Sequence, residues 1–220
     1  MLAFERPTIR GSHDATYGHD RSQGDPLLVD GLGARWETLT TAFKAFPCHV
    51  TAQAPVQALL DLKRQHAFGP LDVASFVLST SEKVLSHHAD PAPKDVATAQ
   101  YSVPYSLALA LFRDPSDPRA FLDGPDQNED IITLSRRIVL KPNDGENARN
   151  DLACRLDIVL RDGRALTMSR RDFEGTTTSP LSRQRLREKF FFLSSLDTEH
   201  SQEIYNRLNR IEEWTVASLI

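Results

Sequence analysis

The first 26 residues, MLAFERPTIRGSHDATYGHDRSQGDP, show no hydrophobic period. A stretch with so little apolar area to bury cannot offset the entropy of its own ordering. Residues 1–31 are therefore expected to form a mobile polar segment, with the folded domain over 32–220. From Trp36 the pattern changes. In WETLTTAFK, Trp36, Thr38, Thr40 and Ala42 alternate with Glu37, Leu39, Thr41 and Phe43, and threonine is frequent. That pattern predicts a strand. Pro47 and the polar residues around Thr51 end it. In AQAPVQALLDLKRQHA, Val56, Leu59, Leu60 and Lys63 recur at three- and four-residue spacing, which predicts a helix that tolerates Pro55 in its first turn.

Gly69-Pro70 punctuates the chain before DVASFVLST, a second predicted strand. Over 94–112, Ala97, Tyr101, Tyr105, Leu109 and Phe112 form a broad helical stripe, with a break or kink expected at Pro104. After the turn at Pro115 and Pro118, a helix over 129–137 leads into a short strand at 138–141. Residues 152–160 alternate apolar and polar, Asp162-Gly163 turns the chain, and 165–170 returns. This is a β-hairpin pattern. Residues 182–193 and 201–214 read as amphipathic helices, with Ser182 as an N-cap. Four or five strands and about five helices, without a repeat of 20 to 50 residues, make an α+β fold. The expected architecture is a small, mainly antiparallel sheet with helices packed on one face.

Composition narrows the function classes. The net charge of −4 over 220 residues argues against an electrostatic grip on nucleic acid or an anionic membrane. No apolar run approaches the ~20 residues that span a bilayer. The two cysteines, Cys48 and Cys154, stand far apart with no CxxC partner, which fits a reducing compartment and buried, small-hydrophobe roles. The chain reads as cytoplasmic, with no nucleic-acid or membrane partner.

Most polar clusters have ordinary readings. His87, His88 and Asp90 are adjacent on one segment without ligand spacing, so a solvated turn is expected rather than a metal site. His13, His19 and Asp20 fall in the polar tail. Gly31 and Gly33 lack the GK[ST] that follows a phosphate loop and read as a turn. RRDF and RQRLREK read as solvated charge. Two segments carry chemistry. FKAFPCHVTAQAPVQALLDL sets Lys44 at a strand end, then Pro47 and His49 just before a helix N-terminus. A cation, an imidazole and free N–H groups together suit a carboxylate, although such junctions also carry Lys and His for solubility. In SVPY, Ser102 and Tyr105 lie one helical turn apart near the expected kink. The phenol is either a donor to a developing oxyanion or a core tyrosine.

These two segments, with LRDG…FEG…SPLSRQRLREKF after them in the same order, resemble the C-terminal domain of the MmgE/PrpD family over about 32–214. That family includes 2-methylcitrate dehydratase, cis-aconitate decarboxylase and iminodisuccinate epimerase. The resemblance implies a large helical domain followed by an α+β lid, a cleft between them, and chemistry next to a carboxylate that needs no metal or organic cofactor. It implies that Lys44 neutralises a substrate carboxylate and that Tyr105 donates to the developing anion, with His49 and Ser102 lining the same wall. The family's proton-transfer acids and histidine belong to the helical domain, and residues 1–31 do not hold it. The expected partners are a small carboxylic acid and, on the open face, a helical domain or chain in cis or in trans, or a second copy. The leading expectation is part of a lyase on di- or tricarboxylates, with 2-methylcitrate dehydration as the specific reaction. The competing one is a non-catalytic module that packs against a partner or binds a carboxylate.

Overall fold

The computed structural model describes residues 31, 33–34, 36–124, 128–144, 150–194 and 197–213. They fall into two units, 1–41 and 42–220. The expected mobile tail, with His13, His19 and Asp20, lies outside the described residues. In the first unit Gly31 and Gly33 take φ of 72° and 78°, and the Ala34 N–H donates to the Gly31 carbonyl at 3.0 Å. This is a turn. The strand expected from Trp36 onward is not formed. Glu37–Thr40 is a short 3-10 helix, and residues 41–44 join no strand ladder. Trp36 and Leu39, on opposite faces of the alternation, are 64% and 75% exposed. A strand that buries neither face gains little from its pattern, and Thr40 Oγ1 closes the turn on the Glu37 carbonyl instead.

The second unit holds a four-stranded sheet: β1 (Val73–Thr80), β2 (Ile138–Pro142), β3 (Cys154–Leu160) and β4 (Ala165–Arg170), in the order β2-β1-β3-β4. Pairings β1–β3 and β3–β4 are antiparallel and β1–β2 is parallel, so the sheet is mixed rather than purely antiparallel. A parallel neighbour requires a long crossover, and the helices between β1 and β2 supply it. The register aligns Ile138, Phe76, Ile158 and Leu166 in one row across all four strands, and Leu140, Leu78, Leu156 and Met168 in the next. Because side chains alternate along a strand, both rows lie on one face, which is the buried one. On the other face the Thr167 hydroxyl donates to Asp157 at 2.7 Å, and Arg155 pairs with the same carboxylate.

Helices cover the apolar face. The first, α1 (Val50–His66), packs on β3 and β4; α2 is Glu82–His87, α3 Val96–Tyr101, α4 Val103–Phe112 and α5 Glu129–Ser135. Helix α4 is buried from Val103 through Leu111, as expected of a helix with no polar face. It packs against α1 and α5 at the centre of the core. Lys63 of α1 donates to the Ala110 carbonyl at 2.9 Å and also reaches that of Leu111, closing the C-terminal end of α4. The single helix expected over 94–112 is two helices, broken at Ser102. Ser102 is extended (φ −78°, ψ 120°) and its Oγ accepts the Tyr105 N–H at 3.0 Å. Pro104 then sits in the first turn of α4, where no N–H is needed.

The chain ends in two further helices, α6 (Arg183–Leu193) and α7 (Thr198–Leu208). Ser182 caps α6 as expected, accepting the Arg185 N–H. Helix α7 begins three residues earlier than its periodicity suggested, because Asp197 caps it through the His200 N–H. No helix among the described residues is long and apolar enough to cross a membrane.

Candidate functional site

Residues 42–48 form a strap that runs to the N-terminus of α1. They have no ladder of their own, so their backbone groups need other partners. A single side chain supplies four of them. Gln53, fully buried on α1, accepts the N–H groups of Ala45 (2.9 Å) and Phe46 (3.0 Å) at its Oε1. Its Nε2 donates to the carbonyls of Phe46 (3.0 Å) and Cys48 (3.3 Å). One turn later Gln57 does the same for Glu174, accepting its N–H at 2.8 Å and donating to its carbonyl at 3.4 Å. The next residue, Gly175, accepts the Phe43 N–H at 2.8 Å. Its φ is +127°, and a Cβ there would stand 2.0 Å from the Phe43 carbonyl oxygen. Only glycine allows this approach.

The strap fixes two of the predicted residues. Lys44 lies on the surface with its Nζ donating to the Cys48 carbonyl at 3.1 Å. It is not at a strand end; Lys189 donates from α6 to the Lys44 carbonyl, and Gln53 holds the next residue, Ala45. Burial first, and then the charge of Lys44, lower the pKa of Lys189. His49 is the N-cap of α1. Its Nδ1 accepts the Thr51 N–H at 3.4 Å and lies 2.9 Å from the Thr51 hydroxyl. An Nδ1 that accepts from a backbone N–H is unprotonated, so the neutral ring carries its proton on Nε2. Nε2 has no partner among the described residues.

The surroundings keep His49 neutral. Its pKa is lowered to about 4 by burial first, then by His88, Lys83 and Lys44. No carboxylate is among the groups acting on it. His88 is lowered as well, chiefly by burial and then by His87 and Lys83. Between the ordinary imidazole value of 6.5 and about 4, the unfolded chain binds protons that the folded chain refuses. Stability is therefore full above this window and falls as the pH drops through it. Thermal midpoints measured from pH 7 down to 4.5 should decline, and His49→Gln should decline less steeply. Asp95 and Asp172 have carboxyls held below their ordinary 3.8, so they act at lower pH and do not blur the test.

The other two predicted residues sit elsewhere. Ser102 is buried, and its hydroxyl is occupied: it accepts from Tyr105 N–H and donates to the Asp90 carbonyl at 2.5 Å. Tyr105 has no exposed surface, and its ring lies 6.3 Å from that of Phe121 in the core. Lys44 is exposed and Tyr105 is enclosed within α4, so the chain does not present the two on a common surface. Two residues that the sequence reading passed over join His49 instead. His88 was expected in a solvated turn, yet it is 7% exposed and stacks on His49 with ring centroids 3.9 Å apart. Tyr101, 58% exposed, lies 5.2 Å from His49. Neighbouring His87 and Asp90 are exposed as expected, and no group of three metal-ligating side chains occurs among the described residues. Burial pushes the thiols of Cys48 and Cys154 up to about 12, which suits packing rather than nucleophilic roles. A cavity of about 310 Å³ opens beside the strap, lined by Ala45, Leu181 and Phe192 with the heads of Arg185, Glu188 and Lys189 at its walls.

The site thus consists of an ammonium, a neutral imidazole donor and the N-terminus of a 17-residue helix, with cations and no acid acting on the imidazole. Such a group favours an anion. The chain is similar to the cis-aconitate decarboxylase of Mus musculus, at 26% identity over 156 residues. The alignment takes in 68% of this chain and 32% of the relative, so the chain spans about a third of that protein's length. The family model described as the MmgE/PrpD C-terminal domain matches residues 46–210, beginning two positions after Lys44 and including His49, Ser102 and Tyr105. That match covers far more than half of the chain, and the protein belongs to the MmgE/PrpD family.

Proposed function

We propose that this chain is the α+β portion of a cofactor-free lyase acting on small di- or tricarboxylic acids, with Lys44 and His49 as its carboxylate receptor. The observation that carries the reading is that His49, whose Nδ1 accepts the Thr51 N–H, and Lys44, whose charge acts on that ring, stand together at the α1 N-terminus. When a proton leaves the carbon next to a carboxylate, charge builds on the carboxylate oxygens. Fixed donors aimed at those oxygens stabilise that charge more than they stabilise the ground state. Lys44 contributes an ammonium, and His49, whose pKa burial and the nearby cations lower to about 4, contributes a neutral N–H. Neither is placed to act as the base, which a helical domain in cis or in trans would supply. Dehydration of 2-methylcitrate is the specific reaction proposed. Tyr105 enters as packing and Ser102 as a helix cap.

A second reading has its own support. The enclosure of Tyr105 and the full use of the Ser102 hydroxyl leave fewer groups for chemistry than a complete lid wall would have. On that reading the chain binds a carboxylate and a helical partner without turnover. The experiment is an assay of 2-methylcitrate and cis-aconitate consumption, with the chain alone and with a helical domain of the family added in trans. Turnover is expected only in the combination, and Lys44→Ala should lower it by about 10²- to 10³-fold. Carboxylate binding without turnover in any combination selects the second reading. Absence of both binding and turnover overturns the two together.

A further inference from the structure

The receptor makes no use of the cavity beside the strap, whose lining comes from several parts of the chain. Arg185, Glu188, Lys189 and Phe192 stand at i, i+3, i+4 and i+7, so one face of α6 forms one side. Ala45 of the strap, Leu181 just ahead of α6 and Ser116 in the turn after α4 complete it. The volume, about 310 Å³, is at the lower end of the ~300–1,000 Å³ typical of small-molecule pockets. Ala45, Leu181 and Phe192 make part of the wall apolar. The Phe192 ring is still 49% exposed, so a ligand chain laid against it would take further apolar surface out of water.

The polar groups of the lining are matched, with one exception. The Ser116 hydroxyl donates to Asp114 at 2.6 Å. Glu188 is engaged at both oxygens, accepting from Gln184 at 3.0 Å and lying 3.6 Å from Arg185. Lys189 is different. It is half-buried, and its ammonium donates to the Lys44 carbonyl. An ammonium has three N–H donors, and among the described residues no carboxylate pairs with this one. The charge that acts on it is that of Lys44, a second cation. A cation drawn part-way out of water without a counter-ion is costly, and an anion in the cavity would supply that counter-ion. One unmatched cation beside an apolar wall suits a single carboxylate with an apolar chain. A di- or tricarboxylate would set its remaining charges against Leu181, Phe192 and the Glu188 carboxylate.

We propose that this cavity is a separate ligand site for a monocarboxylate with an apolar chain: the carboxylate pairs with Lys189, and the chain lies against Phe192, Leu181 and Ala45. The proposal does not rest on the Lys44–His49 receptor, which is read as taking short di- or tricarboxylates. Octanoate is the probe, titrated into the full ¹⁵N-labelled chain at pH 7. Saturable shifts are expected at the backbone amides of Leu181 and Phe192, without a matching response of the His49 ring. Acetate keeps only the head and 1-octanol only the tail, so each should bind at least about tenfold more weakly. Lys189→Gln keeps a donor for the Lys44 carbonyl but removes the charge, and should weaken octanoate by about tenfold. Phe192→Ser should weaken it several-fold. Helix α6 has no buried residue, so both variants should keep the fold. Absence of saturable octanoate binding overturns the proposal. So do equal affinities for octanoate and 1-octanol, an unchanged affinity in either variant, or shifts centred on His49 instead of Leu181 and Phe192. Failure of citrate to bind would count against the receptor and leave the octanoate result standing.

Discussion

Replacing Gln53 by leucine is expected to destabilise the protein by about 3 to 5 kcal/mol, because two N–H groups and two carbonyls of the strap lose their partner at once. Leucine matches the volume but offers no polar atom, and Phe46 and Cys48 lie too deep for water to take over easily. The effect should also be local. With the strap released, Lys44 and His49 lose their fixed relation, so carboxylate affinity should fall even under conditions where the rest of the chain stays folded. Denaturant unfolding gives the stability change, and a carboxylate titration of the folded fraction gives the second. Gln53→Glu is the informative companion: it keeps the acceptor for Ala45 and Phe46 and loses the donor. It should lie between the wild type and Gln53→Leu.

Tyr105→Ala should cost about 3 to 5 kcal/mol, since it empties the largest fully buried side chain among the described residues, at the centre of α4. Tyr105→Phe should cost only about 1 kcal/mol, the worth of the hydroxyl's own interaction. The pair separates packing from chemistry. An enclosed phenol that serves the core makes Tyr105→Phe nearly silent in carboxylate binding and in any turnover with a helical partner. A proton donor to substrate would make that same substitution severe while leaving stability almost unchanged.

Where burial follows a period, the sequence was sufficient. Alternation along 73–80 and 154–160 and the Asp-Gly turn at 162–163 lead directly to the hairpin and to the two apolar rows of the sheet. The continuous apolar run of α4 was readable as a helix, but its break was placed at Pro104 rather than Ser102, because a serine cap and a proline in the first turn give nearly the same local signal. WETLTTAFK, which runs into the strap, was misread as a strand: Glu37–Thr40 turns into a 3-10 helix and the strap after it joins no ladder. Its alternation is real, yet its backbone is satisfied by Gln53, eight or fewer positions ahead, and by Gly175 far along the chain. The trace in the sequence was the spacing of Gln53 and Gln57, two polar residues one turn apart with Ala, Val and Leu between and beside them. Lys44 and His49 were found from charge type next to a helix start. His88 was missed because the ring it stacks on, His49, lies 39 positions away, and adjacent polar residues such as HHAD usually mark solvent.

The central claim is that Lys44 and His49 together receive a carboxylate, and its most direct measurement is a titration of the ¹⁵N-labelled chain with citrate at pH 7, followed at both side chains. Saturable shifts of the Lys44 ammonium and of the His49 ring are expected, with loss of both responses in Lys44→Ala. Shifts confined to the arginine-rich surface of α6, or an equal response in Lys44→Ala, would contradict it.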